Sequence, residues 1–335
     1  MEPTAFDAAP HPRFSVLMAA FQAEATVARA VRSVLAQTRE DWELIVVDDG
    51  SADATAERAR EAAAGDPRVS ILVQENRGAA AARNLAAGHA RGEWLCVLDS
   101  DDEYEPTYLE RMDALATSAP AATLLSCNGT LVAPDGSRAA WLESGRFERE
   151  QSFSLLQLIR ANDVFVMSTV RADAFRAVGG FDAGLAAAED YDLWLRLLSA
   201  GAVHRYTPER LGVYYRSAGS VSSDQSGEAL ATVRILTRLL ETGRLTAREA
   251  RAARRRIRSV RGRAELERRR LEQDFEISRR GALLTAAAFG TPSRRFVARA
   301  LALISPRRYI RLAALRRDGQ VSELYRSAGE QANDR

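Results

Sequence analysis

Two acidic residues, Asp99 and Asp101, stand one position apart directly after the apolar run 94–98. The pattern predicts a buried strand followed by a loop in which both carboxylates face the same space. Unpaired carboxylates repel each other, and a hard divalent cation such as Mg²⁺ or Mn²⁺ relieves the repulsion while keeping coordination positions for phosphate oxygens. An ordinary solvated turn has the same pattern, so the pair indicates a metal and phosphate site only when other polar loops accompany it.

The segments that must position this pair alternate between apolar runs and amphipathic stretches. The apolar runs predict buried strands at 14–18, 44–47, 69–73 and 94–98. The stretches between them have helical spacing, for example over 27–35 and 79–90. The alternation predicts an α/β fold, with a Rossmann-like, mostly parallel sheet and helices on both faces.

Polar clusters follow three of these strands, at 48–49, 76–78 and 99–102. Open α/β sheets bind ligands at the carboxyl ends of their strands, so we expect the three clusters to line one site. Farther along, 123–132 is expected to be extended, 134–137 to form a turn, and 191–198 to form a helix. Beyond Ser226 the chain is predicted to be helical, with a capping box at Thr246 and Glu249, further helix starts at 291 and 305, and a stop at 319.

Charge divides the chain sharply, although its net charge is only +2. Residues 1–224 contain 21 Arg and 33 acids, a net charge of −12, whereas residues 225–335 contain 26 Arg and 12 acids, a net charge of +14. The acidic part argues against nucleic acid as its ligand. The basic part would either attract an anionic membrane surface or form a helical bundle or dimerisation arm with solvated charged faces. Binding of nucleic acid by the basic part is the third alternative.

The compartment is predicted from what the sequence lacks. The chain has only two cysteines, Cys96 and Cys127, which favours a reducing compartment. Residues 1–13 have no apolar run typical of a signal peptide, and no uninterrupted apolar window reaches the ~18 residues that a spanning helix needs. We therefore expect a cytoplasmic protein, with attachment to the inner face of the membrane as an open alternative.

From about Phe14 to Ser222 the sequence resembles the family 2 glycosyltransferases, enzymes of GT-A fold that use nucleotide-sugar donors. The resemblance is carried by ordered motifs: 14–21, 33–37, 44–51, Asn76 with Gly78, 82–84, Asp99 with Asp101, 179–182 and 189–196. It implies a flexible tail over 1–13, a GT-A domain over 14–224 with a donor half (14–103) and an acceptor half (104–224), and an Arg-rich helical region over 225–335.

The resemblance also implies roles for residues of the donor half. Phe21 would stack on the donor base, Asp49 would accept a hydrogen bond from the base imide, and Arg83 would contact the diphosphate. Asp101 would be the main ligand of Mn²⁺ or Mg²⁺, while Asp99 would hold the ribose or assist the metal. The implied donor-binding residues are Ala19, Phe21, Asp49, Gly50, Arg83, Asp99 and Ser100.

Asp190 is the implied catalytic base, at the start of the predicted helix, where the helix N-terminus would favour the ionised carboxylate. It would deprotonate an acceptor hydroxyl that attacks the sugar from the face opposite the nucleotide, with inversion. A plain N-cap role for Asp190 is the alternative. Second-tier candidates are Asp48, which would brace a turn, together with Glu189, Trp194 and Arg216.

The sequence departs from the family pattern in two segments. Ala19 and Ala20 stand where the family commonly has Pro-Thr, and Ala218 stands where relatives place a His that serves the metal or diphosphate. These changes would affect donor binding and metal affinity. The positive charge of Arg216 would compensate for the missing His.

The resulting hypothesis is an inverting, metal-dependent glycosyltransferase that uses a nucleotide diphosphate sugar, with a UDP-sugar as the leading donor. The acceptor would be a hydroxyl of a saccharide or a lipid-linked molecule, and the reaction would belong to the synthesis of cell-surface polysaccharide or glycoconjugate. Assembly into a homo-oligomer is an open alternative. Two alternatives remain: a sugar nucleotidyltransferase, disfavoured because 19–23 lack a Gly-rich loop with a basic residue, and a non-enzymatic GT-A scaffold that binds a partner or membrane through the basic tail.

Overall fold

A computed structural model describes residues 11–142, 147–216 and 225–271 of the chain. The predicted helix starts at 291 and 305, the stop at 319 and the departure at Ala218 lie outside these residues. The described residues form two compact units, one containing 11–216 with 242–249 and the other containing 225–241 with 250–271.

Nine strands of the described part form one sheet in the first unit. Their order is β3-β2-β1-β4-β8-β6-β9-β5, with β7 paired to β6. The strands are β1 (Phe14–Ala20), β2 (Trp42–Asp48), β3 (Val69–Val73), β4 (Trp94–Val97), β5 (Glu103–Tyr104), β6 (Ala122–Val132), β7 (Arg138–Ala140), β8 (Thr169–Arg171) and β9 (Val203–Tyr215).

Helices connect and flank the strands. Those of the first unit are α1 (Val27–Leu35), α2 (Thr55–Ala63), α3 (Ala79–His89), α4 (Tyr108–Ser118), α5 (Leu155–Arg160), α6 (Ala172–Ala177) and α7 (Glu189–Ser199). The helices that follow are α8 (Gln225–Glu241) and α9 (Ala247–Leu271). None of the helices among the described residues combines the length and the apolar character that crossing a bilayer requires.

The predicted parallel sheet is confirmed for the first four strands, since β1 pairs in parallel with both β2 and β4, and β2 with β3. All seven residues of β2 are buried, as expected for a strand covered on both faces. Val27, Val31 and Val34 of α1 are buried along one face of that helix. The carboxyl ends of these strands therefore lie at one edge of the sheet.

Beyond β4 the sheet is mixed. Strand β8 pairs antiparallel with both β4 and β6, whereas β6 pairs in parallel with β9 through several register shifts. The predicted turn at 134–137 joins β6 to β7, with Gly136 at φ 83°. The predicted capping box is also present: the Thr246 hydroxyl accepts from the backbone N–H of Glu249 at 3.3 Å, and Glu249 accepts from the backbone N–H of Thr246 at 2.8 Å.

Both cysteines of the chain are free and buried in the sheet, Cys96 on β4 and Cys127 on β6. Each side chain has 0% exposure. Burial raises the pKa of each thiol to about 12, so both stay protonated at neutral pH.

Candidate active site

Hydrogen bonds from backbone amides to side chains join the segments that follow β1 and β2 at the carboxyl edge of the sheet. Three successive amides of the first loop donate to side chains of the second, from Gln22 to Ser51 Oγ at 2.9 Å, from Ala23 to Thr55 Oγ1 at 2.8 Å and from Glu24 to Asp53 Oδ2 at 3.1 Å. Phe21 precedes these amides and is 50% exposed. An exposed aromatic ring on a braced edge offers a flat surface on which a base can stack.

Asp49 is held by the loop that follows β3. Its Oδ1 accepts from Gln74 Nε2 at 2.6 Å and from the Arg77 amide at 2.8 Å, and its Oδ2 accepts from the Gly78 amide at 2.7 Å. A carboxylate has about four acceptor positions, so one remains for a further N–H donor. Gly50 keeps the loops close together, since a Cβ there would lie 2.9 Å from the Asn76 nitrogen.

Asp48 closes the turn after β2, where its Oδ1 accepts from the Ser51 amide at 3.0 Å. This contact agrees with the turn-bracing role expected for it. Ala19 is half-buried within β1, one residue before the strand ends, and it brings no hydroxyl to this edge.

The loop between β4 and β5 carries three carboxylates, those of Asp99, Asp101 and Asp102, with Ser100 buried between them. Burial, with the charge of Asp99 added, raises the pKa of Asp101 to about 6. Asp102 is fully buried; its Oδ1 accepts from the Tyr215 amide at 2.9 Å, and its Oδ2 has no partner among the described residues. Burial and the two neighbouring acids raise the pKa of Asp102 well above its ordinary value. The loop thus concentrates negative charge that one cation would relieve.

Arg83 of α3 joins this loop to the start of α7. Its guanidinium donates to Asp99 Oδ1 and, at 2.5 Å, to Glu189 Oε1, and the side chain is only 5% exposed. Burial opposes the charge of Arg83, but the two carboxylates outweigh burial and raise its pKa above the ordinary value. Residues from three distant stretches of the chain therefore meet at one place. The contact with a diphosphate that the resemblance implied for Arg83 would have to be shared with these two carboxylates.

Asp190 is the second residue of α7, whose N-cap is Ala188 in a left-handed conformation at φ 58°. Asp190 is therefore not the helix cap, and the alternative N-cap role is wrong. Its half-buried carboxylate accepts from the Tyr191 amide at 2.6 Å.

Burial raises the pKa of Asp190 to about 7, and the charge of Glu189 adds to this effect. The charge of Arg83 lowers the pKa of Asp190, whereas the charge of Asp99 raises it. Desolvation raises the pKa of Asp190 by more than the hydrogen bond from the Tyr191 amide lowers it. A pKa near neutrality suits a general base.

Two second-tier candidates remain, Trp194 on α7 and Arg216 directly after β9. Trp194 has 0% exposure, and its indole N–H has no partner among the described residues, so its ring belongs to the core and does not form a pocket wall. Arg216 is exposed at the end of β9, where its backbone amide donates to the Val132 carbonyl at 2.9 Å.

The chemistry of the acid loop fits a divalent cation that shares its coordination with a phosphate ligand. Within the described part of the chain, no three His, Cys, Asp or Glu side chains are arranged to hold a metal ion by themselves. Asp99 and Asp101 nevertheless supply hard oxygen donors, and buried Asp102 adds an oxygen that has no partner among the described residues. Mg²⁺ and Mn²⁺ commonly take one or two carboxylates together with substrate phosphates.

Three residues that the structure places at the site could not be identified from the sequence. Asp102 belongs to an acidic run, and its contact with β9 is not visible in the sequence. Gln74 and Arg29 have no sequence signal, because their contacts with Asp49 and with the acid loop arise only when separate loops come together.

This mixed α/β sheet, with helices on both faces, has the fold of the GT-A glycosyltransferases. The chain belongs to glycosyl transferase family 2, whose model matches residues 15–179.

Two relatives and two solved structures illustrate the similarity. The succinoglycan biosynthesis protein ExoO of Rhizobium meliloti is 35% identical over 232 residues, which cover 66% of this chain and 65% of that protein. A chondroitin synthase of Pasteurella multocida is 33% identical over 195 residues, 57% of this chain and 19% of the relative. The chain therefore spans less than two thirds of the length of these relatives.

Among solved structures, residues 1–349 of S. aureus TarS in complex with UDP-GlcNAc match with a TM-score of 0.61 at 16% identity, covering 88% of this chain and 92% of that one. The mannosyltransferase PcManGT of Pyrobaculum calidifontis, in complex with GDP-Man and Mn²⁺, matches with a TM-score of 0.60 at 18% identity, covering 92% and 90% of the two chains. At these identities the likeness shows a shared fold.

Proposed function

We propose that this protein is an inverting, metal-dependent glycosyltransferase that moves a sugar from a nucleotide diphosphate donor to a hydroxyl acceptor. The observation that carries the proposal is the position of Arg83, which binds Asp99 of the acid loop and Glu189 beside Asp190. This arrangement supports a single cleft in which acids hold the leaving nucleotide on one side and a base faces the acceptor on the other.

The donor base would lie at the edge formed by the first two loops. Phe21 supplies an exposed ring, and Asp49 supplies one acceptor position next to three that the protein already uses. The imide N–H of uracil or the ring N–H of guanine would suit this position equally well. We favour a UDP-sugar because TarS was solved with UDP-GlcNAc, although PcManGT was solved with GDP-Man.

Asp101 and Asp99 would hold Mn²⁺ or Mg²⁺ with the donor diphosphate. The cation would neutralise the charge that develops on the leaving nucleotide diphosphate. Asp190 would take the proton from the acceptor hydroxyl while the oxygen of that hydroxyl forms a bond to the anomeric carbon of the sugar. The bond from that carbon to the diphosphate breaks on the opposite face, so the configuration inverts and the nucleotide diphosphate leaves with the bonding electrons.

The acceptor is proposed to be a saccharide or a lipid-linked molecule in polysaccharide synthesis. The names of the relatives support this class, since one takes part in succinoglycan biosynthesis and another is a chondroitin synthase. A protein that only binds partners would not need three carboxylates and a raised pKa at one site, so the scaffold alternative explains fewer of these observations.

A donor screen tests the proposal. Nucleotide sugars and Mn²⁺ are added to the full chain, and a bound donor should raise the melting temperature because it binds only the folded state. The donor identified in this way is then used to measure nucleotide diphosphate release, which EDTA should abolish and Mn²⁺ should restore. Asp190→Asn should keep donor binding and lose about 10²-fold or more of the transfer rate. The proposal would be contradicted if none of the nucleotide sugars raised the melting temperature, or if the protein kept full activity in EDTA.

For the basic region we propose attachment to an anionic membrane surface. Six arginines of α9 are exposed at helical spacing, and no acid interrupts residues 250–262. They extend over about 20 Å of helix, and each would add about 1 kcal/mol at an anionic bilayer. The six are Arg248, Arg251, Arg254, Arg255, Arg258 and Arg261.

Flotation of the protein with vesicles tests this attachment. The full chain should float with phosphatidylserine-containing vesicles and stay behind with neutral ones, and changing the six arginines to Gln should remove flotation. Equal behaviour with both kinds of vesicle would reject it. Binding to duplex DNA in preference to vesicles would instead favour the nucleic-acid alternative.

A further inference from the structure

Arg29 of α1 contacts the acid loop although it lies more than seventy positions before that loop. Its guanidinium donates to the backbone carbonyl of Asp101 at 2.5 Å, and its Nε lies 3.1 Å from Glu103 Oε1. The same guanidinium lies over the ring of Tyr215, with Cζ 3.8 Å from the ring centroid. The Arg29 guanidinium thus contacts a backbone carbonyl, a carboxylate and an aromatic ring.

Tyr215 completes this arrangement from the last position of β9. Its backbone amide donates to Asp102 Oδ1 at 2.9 Å, and its hydroxyl donates to Glu103 Oε1 at 2.6 Å. Arg29 and Tyr215 together hold three consecutive residues where the loop meets β5. Asp101 is held by its carbonyl, and Asp102 and Glu103 are held by their carboxylates.

The charges of the loop explain why it needs such support. Four acids occur within the five positions 99–103. Arg83 binds the first of them, Asp99, and Arg29 binds at the opposite end of the run. The two arginines leave the Asp101 carboxylate between them without an ion pair among the described side chains. The loop is therefore fixed at both ends while its middle carboxylate stays available.

Stability alone is a weak explanation for the contacts of Arg29. Its side chain is 36% exposed and that of Glu103 27%, and ion pairs at such positions contribute about 0–1 kcal/mol to folding. The bond to the Asp101 carbonyl instead fixes the peptide that carries the proposed metal ligand. Hydrogen bonds of this kind, one step removed from a metal, orient its ligands.

We propose that Arg29 and Tyr215 are positioning residues that orient the Asp101 carboxylate toward the divalent cation and the donor diphosphate. The inference rests on the proposed function, because it assigns to Asp101 the cation of that reaction. It adds two residues from outside the acid motif, one on α1 and one at the end of β9.

Binding of Mn²⁺ tests the inference without measuring turnover. Free Mn²⁺ is titrated by electron paramagnetic resonance in the presence of saturating UDP, with the full chain and its variants. Arg29→Met, which keeps the apolar stem, should weaken Mn²⁺ binding by about 10-fold to 100-fold. Arg29→Lys should restore part of the affinity because it keeps the charge, and Tyr215→Phe should weaken binding less because it removes only the bond to Glu103.

The matched control is Arg32→Met, an exposed arginine one turn along the same helix. It should bind Mn²⁺ as the unchanged protein does. The melting temperature of each variant without ligand checks that the fold persists; if Arg29→Met fails to fold, Arg29→Lys and Tyr215→Phe decide.

Unchanged Mn²⁺ affinity in folded Arg29 and Tyr215 variants would overturn the inference and leave the proposed function intact, because the unchanged protein still binds. Failure of the unchanged protein to bind Mn²⁺ with any nucleoside diphosphate would overturn both. Equal losses in the Arg29 and Arg32 variants would show a general effect of charge and would also overturn the positioning role.

Discussion

The side chain of Asn84 is paired with the backbone of Phe181. Its Oδ1 accepts from the Phe181 amide at 2.9 Å, and its Nδ2 donates to the Phe181 carbonyl at 2.8 Å. Asn84 follows Arg83 on α3, and Phe181 lies in the segment that leads to α7. The pair therefore ties the helix that carries the central arginine to the segment that leads to the proposed base.

Asn84→Ala should destabilise the protein by about 1–3 kcal/mol, because it leaves the two Phe181 backbone groups without their partner. Urea unfolding at pH 7 measures the change. Asn76→Ala, at an exposed position in the loop after β3, is the control and should change stability by less than about 0.5 kcal/mol. Equal effects of the two substitutions would show that the pairing with Phe181 contributes nothing specific.

Two adjacent glycines allow backbone strain to be separated from a steric clash. Gly179 and Gly180 both have positive φ, 81° and 69°, but only a Cβ at Gly180 would meet a neighbour, Asn84 Oδ1 at 2.7 Å. Gly179→Ala should cost about 1–2 kcal/mol from the left-handed backbone alone. Gly180→Ala should cost more, since it also displaces the Asn84 side chain. A smaller loss for Gly180→Ala than for Gly179→Ala in the same urea assay would contradict this account.

The raised pKa of Asp190 predicts a pH-dependent effect on stability. With a folded pKa of about 7 against an ordinary 3.8, the folded state binds more protons between these values, so stability falls as the pH rises through that window. Asp190→Asn should remove this loss. The difference in melting temperature between variant and unchanged protein should be small at pH 4, grow up to about pH 7 and then stay constant.

Asp135→Asn is the control for that experiment, because hydrogen bonds from Ser137 lower the pKa of this exposed carboxyl. Its variant should show no gain in melting temperature with rising pH. A difference for Asp190→Asn that does not depend on pH would mean that Asp190 titrates at its ordinary pKa.

The pH profile of sugar transfer should have a limb set by Asp190. A base must be ionised, so the rate should rise with pH through about 7 and fall about tenfold for each unit below it. Glu189→Gln removes a charge that raises the pKa of Asp190, so it should move the limb to lower pH. Glu57→Gln, on the exposed face of α2, should leave the limb in place. A limb that moves upward in Glu189→Gln would contradict the assigned electrostatics.

Much of the first half of the fold could be predicted because its signals are local. The β2 segment is apolar at nearly every position, and it is buried on both faces. The helical spacing of Val27, Val31 and Val34 is also a local signal, and it identifies α1. The antiparallel insertion of β8 between β4 and β6 could not be foreseen, because a three-residue strand carries no periodicity.

The candidate site shows the same division. The position of Asp99 and Asp101 at a strand end follows from the apolar run before them. The link from Arg83 to Glu189 spans 106 positions, and it depends on how two helices are placed by the sheet. The desolvation of Asp190 could not be predicted, because a helix start is visible in a sequence whereas desolvation depends on the tertiary surroundings.

The burial of Cys96 and Cys127 has a practical consequence. Both thiols are inaccessible and protonated at neutral pH, so alkylating reagents should leave them unmodified in the folded protein. A cysteine introduced at any exposed position would then be the sole target of a maleimide spin label. Pairs of such labels, one near the acid loop and one on α9, would allow distances to be measured in solution without first replacing the native sulfur atoms.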